Sequence, residues 1–383
     1  MAKLGEVCKV SASTKMIDKS KAWLLNLDMV EQQTGRVVEY NFVGEDGLNG
    51  SITQFDTENV LYSKLRPNLN KVVLPERDGF CTSELLPLRP DARKLDRSYL
   101  AVFLRSDGFV NWAVSKTAGA KMPRLGTKDL LNANIPLPEI KEQKAIAEKF
   151  KKSEELISLR KQQLVKMDEL VKARFFEMFG EISDNSMNWD CFTIGKLIST
   201  IESGWSGNGK QREKHADEIA VLKVSAVTKG YFIPTECKVL DDQHNIKKYV
   251  YPQKEDILFS RANTKEMVGA TVLIKKDYPD LILPDKLWKI RFCTDVNPIY
   301  MKHVLSTTTV RNAFSAASTG TSGSMYNVSM EKFKGVIIPV PPLSVQNEFA
   351  AFVERVDQQK QTVQQSLEKL ELMKKALMQE YFG

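Results

Sequence analysis

The sequence contains an internal repeat, and this repeat constrains the fold more than any other feature. Residues 135–180, beginning I-P-L-P-E-I-K-E-Q-K-A-I-A, align without a gap with residues 338–383, beginning I-P-V-P-P-L-S-V-Q-N-E-F-A. Thirteen of the 46 aligned positions are identical, well above chance. Each copy starts with prolines and continues for about 35 residues free of proline and internal glycine, which is typical of a long helix.

Both helices carry apolar residues at alternating steps of four and three, the heptad spacing of a coiled coil. We call this set the heptad seam, and its predicted packing residues are Ile146, Phe150, Ile157, Leu164, Met167 and Val171 in the first helix and Phe349, Val353, Val356, Val363, Leu367, Leu370 and Leu377 in the second. Neither helix could bury its stripe alone, so we expect the two to pair as an antiparallel coiled coil. The alternative is that each helix packs only on its own globular neighbour.

The repeat divides the chain into four parts and predicts an α+β fold with a pseudo-two-fold arrangement. Residues 1–134 and 181–337 are domain-sized and mix short apolar strand-like runs with turn residues, while residues 135–180 and 338–383 are the helices. Three phenylalanines end the first helix, more than one seam requires. Phe176, with Phe175 and Phe179 beside it, is therefore predicted to pack against a neighbouring domain or a partner subunit.

Composition excludes several classes of protein. No run of about 18 apolar residues occurs and the N-terminus lacks the apolar core of a signal peptide, so we expect no membrane association. Five scattered cysteines without a C-x-x-C pair indicate the reducing cytoplasm and no zinc site. The three histidines, His215, His244 and His303, are expected at the surface. A net charge of +7 is compatible with nucleic acid binding.

Catalytic motifs are missing from the sequence. Gly204, Gly209 and Lys210 have the spacing of a phosphate-binding loop, but Gln211 stands where that loop needs Ser or Thr, and a charged run follows. A flexible Gly/Ser loop is the better interpretation. The tetrad of adenine methyltransferases is absent, and Asp256 with Asp285–Lys286 makes only a weak nuclease motif. We therefore predict no catalytic residue and no metal ligand.

Two loops in each globular segment combine basic residues with Asn or Ser, the chemistry that reads DNA grooves and phosphates. The candidate DNA-binding residues of these loops are Lys64, Arg66, Asn68, Lys71, Lys121 and Arg124 in the first segment, and Ser260, Arg261, Asn263, Lys265 and Arg311 in the second. Short basic loops also occur on proteins that do not bind DNA. Their matching places in a duplicated chain favour DNA.

Over essentially its whole length the chain resembles the specificity (S) subunit of type I restriction-modification enzymes. The resemblance rests on P-L-P-E-I-K-E-Q-K-A-I-A and P-V-P-P-L-S-V-Q before the helices, on L-Y-S-K-L-R-P-N-L-N-K-V-V and G-F-C-T-S-E-L-L-P-L-R-P in the first segment, and on V-L-K-V-S-A-V-T-K-G and Q-K-E-D-I-L-F-S-R-A-N in the second. Val345 departs from the Glu that usually precedes the motif glutamine. The first domain lacks the Ser-Gly loop that Ser203–Gly204 provides in the second, which implies two domains of different subtypes. The resemblance makes this loop the entry of the second domain, and Ser203 and Gly204 are candidate DNA-binding residues on that ground.

The resemblance implies a non-catalytic subunit of a DNA methylation and restriction system. Each globular segment would be a target-recognition domain for one half of a bipartite, asymmetric site in double-stranded DNA. The helices would act as spacers and dock two methyltransferase (M) subunits, with restriction (R) subunits joining them. S-adenosylmethionine, ATP and Mg²⁺ are then expected in the partners and no cofactor in this chain. The alternatives are an enzyme with its own methyltransferase or nuclease site, and a coiled-coil adaptor that binds only proteins.

Overall fold

The computed structural model describes residues 1–119, 121–215, 218–318 and 326–383, and these form two compact units. Unit 1 consists of Met1–Gln163 and Val363–Gly383, and unit 2 of Leu164–Thr362. Each unit therefore contains one globular segment and a part of both long helices.

Unit 1 is built on two four-stranded sheets. Its strands are β1 Ala2–Lys3, β2 Cys8–Val10, β3 Ala22–Leu25, β4 Asn41–Val43, β5 Ile52–Phe55, β6 Val60–Ser63, β7 Val72–Val73, β8 Gly79–Thr82, β9 Leu85–Pro90 and β10 Asn134–Ile135. The sheet orders are β2-β9-β6-β7 and β4-β3-β8-β5, with only the β3–β8 pair parallel among the named strands. All four residues of β6 are buried, as expected of an apolar strand covered on both faces.

Four short helices complete the globular part of unit 1. They are α1 Leu4–Val7, α2 Arg97–Leu104, α3 Asp107–Ser115 and α4 Thr127–Leu131. The side chains of Asp96 and Ser106 accept backbone N–H bonds at the starts of α2 and α3, which explains why the helices begin there. Six consecutive residues of α2 are buried, so this helix is central to the core.

Unit 2 repeats this plan with different strands. They are β11 Cys191–Thr193, β12 Ile198–Ser203, β13 Gly209–Lys210, β14 Ala220–Leu222, β15 Cys237–Leu240, β16 Ile257–Ser260, β17 Ala262–Asn263, β18 Thr271–Leu273, β19 Leu281–Ile282, β20 Leu287–Phe292, β21 Tyr326–Asn327 and β22 Ile337–Pro339. The short helices are α6 Ile194–Leu197, α7 Pro298–Ser306, α8 Thr308–Ala317 and α9 Met330–Gly335. The four-stranded sheets are β12-β20-β16-β18 and β13-β15-β14-β19.

One four-stranded sheet has the same plan in both units, and the other sheet differs between them. We call the common plan the shared sheet; it is β2-β9-β6-β7 in unit 1 and β12-β20-β16-β18 in unit 2. In the shared sheet Ser63 opposes Leu85 in unit 1, and Ser260 opposes Leu287 in unit 2. In the second sheet of unit 1 the strand β5 lies beyond the parallel pair, whereas in unit 2 the parallel partner β19 is itself the edge. This difference agrees with the expectation of two domain subtypes.

Two helices of 40 residues each, α5 Ile140–Phe179 and α10 Leu343–Phe382, run antiparallel within each unit. In unit 1 the Nζ of Lys374 lies 2.8 Å from Glu154, and Lys161 lies 3.1 Å from Glu371. In unit 2 the Nζ of Lys360 lies 2.6 Å from Asp168, and Arg174 lies 2.9 Å from Glu348. The predicted antiparallel pairing is thus confirmed. Both helices also pack on the globular parts. The alternative, in which each helix packs only on its globular neighbour, therefore describes some of their contacts and misses the pairing.

Most of the heptad seam is buried. Eight members are buried, namely Ile146, Phe150, Val171, Phe349, Val353, Val356, Val363 and Leu367. Five are half-buried, namely Ile157, Leu164, Met167, Leu370 and Leu377. The period of the sequence therefore located the packed face of both helices.

One histidine lies deeper than its predicted surface position. His303 on α7 is half-buried, and its ring contacts those of Phe175 and Phe349 at centroid distances of 6.1 Å and 5.1 Å. Burial, with the nearby charges of Lys302 and Lys360, lowers the pKa of His303 well below 6.5. The side chain is therefore neutral at pH 7 and packs against the aromatic core of unit 2 from a half-buried position.

In the described part of the chain, no helix carries an apolar stretch long enough to cross a bilayer.

Candidate nucleic-acid interface

The loop after β6 has an unusual backbone that is held from a distant part of unit 1. Arg66 and Asn70 have φ values of 48° and 50°, which few residues with a side chain adopt. The backbone N–H of Arg66 donates to the carbonyl of Pro123 at 2.8 Å, and its guanidinium donates to the carbonyl of Lys121 at 3.4 Å. The loop is thereby fixed against the segment before α4.

Further backbone bonds draw the predicted basic residues together. Leu65 forms an antiparallel bridge with Arg124, and the N–H of Leu125 donates to the carbonyl of Lys64 at 2.9 Å. Lys64 in turn donates its N–H to the carbonyl of Glu84 at 3.2 Å. Lys64, Arg66, Lys121 and Arg124 therefore lie in one cluster, which we call the unit 1 basic cluster.

Glu84 belongs to this cluster and was missed in the sequence. It lies in the turn between β8 and β9, and its carboxylate accepts a hydrogen bond from Arg124 at 3.0 Å. A single glutamate next to a short apolar strand carries no local signal of such a partner. Only the pairing of distant segments brings it here.

Two other candidates in unit 1 anchor the loop from inside. The ammonium of Lys71 donates to the carbonyl of Leu27 at 2.7 Å, and burial lowers the pKa of Lys71. The carbonyl of Asn68 accepts a bond from Gln33 at 3.1 Å, while the side chain of Asn68 is exposed. Lys71 thus has a structural role in this conformation, and Asn68 stays a predicted contact.

In unit 2 the equivalent loop follows β16. The N–H of Arg261 donates to the carbonyl of Lys286 at 3.1 Å, and its side-chain Nε donates to the carbonyl of Asp285 at 3.0 Å. The hydroxyl of Ser203 donates to that same carbonyl at 3.2 Å. Ser203 and Arg261, predicted from separate stretches, therefore meet. Lys248, which the sequence did not single out, joins them by donating to the carbonyl of Ser203 at 2.6 Å.

The Gly/Ser stretch around Gly204 is part of a sheet edge and not a phosphate-binding loop. Lys210 lies in β13 opposite Val239, where a phosphate-binding loop would begin a helix. A Cβ on Gly204 would lie 2.0 Å from the carbonyl oxygen of Leu283, so only glycine permits this close approach.

Two candidates in unit 2 stabilise the loop from inside and do not point to solvent. We therefore no longer expect them to contact DNA directly. Ser260 has no exposed surface, because it lies in the central strand β16, and its hydroxyl accepts a bond from Asn263 at 3.5 Å. Arg311 donates to the carbonyls of Glu266 and Val268, and burial lowers its pKa. Asn263 and the exposed Lys265 stay predicted contacts.

The weak nuclease motif is accounted for by an ion cluster inside unit 2. Asp256 is fully buried, with Arg291 at 2.6 Å and Lys289 at 3.3 Å from its carboxylate oxygens. The N–H of Gln253 also donates to it at 2.6 Å. All its oxygens have partners, so it offers none to a metal ion. Among the described residues no group of three His, Cys, Asp or Glu could hold a metal.

The motif glutamines clamp the long helices to the globular parts. Gln143 is fully buried; its carbonyl accepts the N–H of Asp96 at 2.9 Å, and its amide donates to the carbonyls of Lys94 and Pro138. Gln346 makes two of these three bonds in unit 2, accepting from the N–H of Asn297 at 2.8 Å and donating to the carbonyl of Pro341 at 2.7 Å. Each clamp thus joins the start of a long helix to the N-cap residue of α2 or α7.

Comparison with protein families identifies the duplicated unit. A family model described as "Type I restriction modification DNA specificity domain" matches residues 1–168 and again residues 188–372. The chain belongs to this family. It carries two copies of the domain, and the matches cover residues 1–134, nearly all of residues 181–337 and most of both long helices.

Individual relatives are named as specificity subunits of type I restriction enzymes. The EcoKI specificity subunit of Escherichia coli (strain K12) is 26% identical over 284 residues, covering 70% of this chain and 60% of that protein. The EcoDI specificity subunit of Escherichia coli is 31% identical over 117 residues, covering 30% of this chain and 26% of that protein. The specificity-domain chain therefore spans less than two thirds of either relative.

The fold also matches a solved structure. The crystal structure of a type I restriction-modification system S subunit from M. genitalium has a TM-score of 0.60 and 12% identity, and covers 100% of this chain and 95% of that one. At this identity the likeness establishes the fold alone. The α+β architecture with two long helices, expected from the repeat, is confirmed.

Some apolar side chains on the first long helix are exposed to solvent. Phe175 and Phe179 are buried in the core of unit 2, whereas Phe176 is 43% exposed. Leu170 on the same helix is 51% exposed. Phe175 and Phe179 therefore pack on a neighbouring domain, and the packing of Phe176 on a partner stays a prediction.

Proposed function

We propose that this chain is the non-catalytic, sequence-reading subunit of a type I restriction-modification complex, and that each unit reads one half of a bipartite DNA site. The observation that carries the proposal is the recurrence in both units of one backbone arrangement that presents basic side chains. Lys64 and Arg261 occupy the same place in it, directly after equivalent central strands. Arginine and lysine there suit base edges and phosphates.

The domain limits of 1–134 and 181–337 for the two recognition domains belong to this proposal. We also propose that the long helices dock two methyltransferase subunits, with restriction subunits joining the assembly. The exposed Leu170 and Phe176 support a protein partner on the helices, since large apolar side chains are often found at such interfaces. S-adenosylmethionine, ATP and Mg²⁺ are assigned to those partners, and the cytoplasm is the expected compartment.

An enzyme with its own catalytic site is the weaker candidate. Its best motif contains Asp256, whose carboxylate is occupied by Arg291, Lys289 and a backbone N–H. A purely protein-binding adaptor is disfavoured by the unit 1 basic cluster, which gathers four basic residues in one place.

The test compares Arg66→Ala with Arg261→Ala in the full chain purified with its methyltransferase partner. Each variant selects from a pool of random-sequence DNA duplexes, and the bound sequences are read. Arg66→Ala is expected to change preference or affinity only through the first half-site, and Arg261→Ala only through the second. A lost base contact costs about 1–3 kcal/mol at one position, and a lost phosphate contact weakens all sequences alike.

The matched control is Arg93→Ala, which removes an arginine with an 89% exposed side chain from an ion pair outside the loops. It should leave both half-sites unchanged. Damage by either test variant in the opposite half-site would contradict the assignment. A wild-type complex that enriches no sequence would refute the proposed function itself.

A further inference from the structure

The backbone identifies one pair of equivalent positions whose side chains differ between the units. In unit 1 Lys64 donates its N–H to the carbonyl of Glu84, and the carbonyl of Lys64 accepts from Leu125 at 2.9 Å. In unit 2 Arg261 donates to the carbonyl of Lys286, and its carbonyl accepts from Val328 at 2.9 Å. Glu84 therefore corresponds to Lys286, since each directly precedes the equivalent strand β9 or β20.

The residue before the second acceptor also corresponds. Arg124 precedes Leu125 and bridges to Leu65, while Asn327 precedes Val328 and pairs with Ala262. Both bridges are antiparallel and follow the central strand of the shared sheet. Arg124 and Asn327 thus occupy one structural position with different side chains, and Arg124 is exposed whereas Asn327 is half-buried.

In unit 1 the side chain at this position is held in place. The carboxylate of Glu84 lies 3.0 Å from the guanidinium of Arg124, and the two side chains are 28% and 52% exposed. The second carboxylate oxygen of Glu84 is shielded from solvent and has no hydrogen-bond partner. This carboxylate therefore depends on Arg124 for compensation, and the ion pair fixes one edge of the guanidinium while half of the side chain stays in solvent.

In unit 2 the corresponding side chain is an amide next to a lysine. Asn327 is half-buried, and no partner among the described residues engages its side-chain amide. Asparagine can bind the N6 and N7 atoms of adenine with two hydrogen bonds, whereas arginine can bind O6 and N7 of guanine. The two side chains at this position therefore match the two purines.

We propose that this position reads a base in both recognition domains, with Arg124 contacting a guanine in the first half-site and Asn327 an adenine in the second. Glu84 is a positioning residue that holds the guanidinium of Arg124. The proposal rests on the proposed function and names two of its reading residues, of which Asn327 did not figure among the sequence candidates.

The negative charge of Glu84 distinguishes a positioning role from a role in general attraction to DNA. A carboxylate beside the duplex weakens non-specific binding, because it opposes the phosphates. A residue that only raised affinity for DNA would not be acidic within the unit 1 basic cluster. Glu84→Gln should therefore raise affinity for random duplexes while it weakens the preference for guanine, and a merely structural residue would lower both together.

The experiment uses the full chain with its methyltransferase partner and a pool of random-sequence duplexes. The first variant is Glu84→Gln with Arg124→Asn, because removing the arginine alone would leave the shielded carboxylate uncompensated. Its guanine preference at one position of the first half-site should fall by about five- to 150-fold, and adenine should replace guanine there. Asn327→Ala should lose an adenine preference in the second half-site by a similar factor.

The matched control is Asp91→Asn with Arg93→Asn, an ion pair outside the loops between a half-buried aspartate and an 89% exposed arginine, and its loss should leave the base preferences in both half-sites unchanged. If the first variant does not fold, Glu84→Gln alone carries the test through the opposed changes in affinity and preference. If the wild-type complex selects a sequence and the variants keep the same base preferences, the inference is overturned and the proposed function stands. A wild-type complex without any sequence preference would remove both.

Discussion

At the scale of single residues, His303 couples the stability of unit 2 to pH. Its folded-state pKa lies well below the value of 6.5 that it has when unfolded, so below pH 6.5 the unfolded chain binds more protons than the folded one. The contribution of the neutral ring to the free energy of unfolding is thus complete above pH 6.5. It falls by about 1.4 kcal/mol for each pH unit below 6.5 over which the folded ring stays neutral. We expect thermal unfolding to shift downward between pH 7 and pH 5, and His303→Leu to remove that component. His244→Leu, at an exposed position, is the control; equal pH dependence in wild type and His303→Leu would contradict the expectation.

At the scale of elements, the motif glutamines decide how firmly the long helices hold the globular parts. Gln143→Ala leaves the N–H of Asp96 and two carbonyls without a partner, and each buried polar group left so costs about 1–3 kcal/mol. We expect denaturant unfolding of unit 1 to show a loss of that order, with faster hydrogen exchange at the start of α2. Gln162→Ala, at an exposed position of the same helix, should change stability by less than about 0.5 kcal/mol. Similar losses for both variants would mean that the clamp adds nothing beyond helix propensity.

At the same scale, the long helices could be predicted from the sequence, whereas the contacts between distant segments could not. The helices were predictable because the heptad period is local and repeats twice in the chain. Glu84 and Asn327 were not, because each meets its loop through hydrogen bonds between segments dozens of residues apart. His303 was misplaced for the same reason, since nothing beside it in sequence indicates the rings of Phe175 and Phe349.

At the scale of the whole molecule, each unit is completed by an aromatic side chain from the end of a long helix. Phe382 packs against Tyr99, Phe103 and Phe150 in unit 1, with ring centroids at 5.3 to 6.3 Å. Phe179 is its repeat partner in unit 2. Phe382→Ala should cost about 3–5 kcal/mol and speed hydrogen exchange in α2, whereas Phe179→Ala should do so in α7. Leu372→Ala, whose side chain is 68% exposed, is the control. Faster exchange confined to α10 after Phe382→Ala would show that unit 1 does not need this ring.

The discontinuous composition of unit 1 has a consequence for its synthesis. Unit 2 is a single stretch, Leu164–Thr362, and the ribosome finishes it before it makes Val363–Gly383. At about 5–20 residues per second, the roughly 200 residues of unit 2 take about 10–40 s. Through that interval the rings of Tyr99 and Phe103 lack their cover from Phe382. The unit that emerges first is therefore completed last, and until translation ends two of its rings are without the cover that Phe382 gives them in the finished protein.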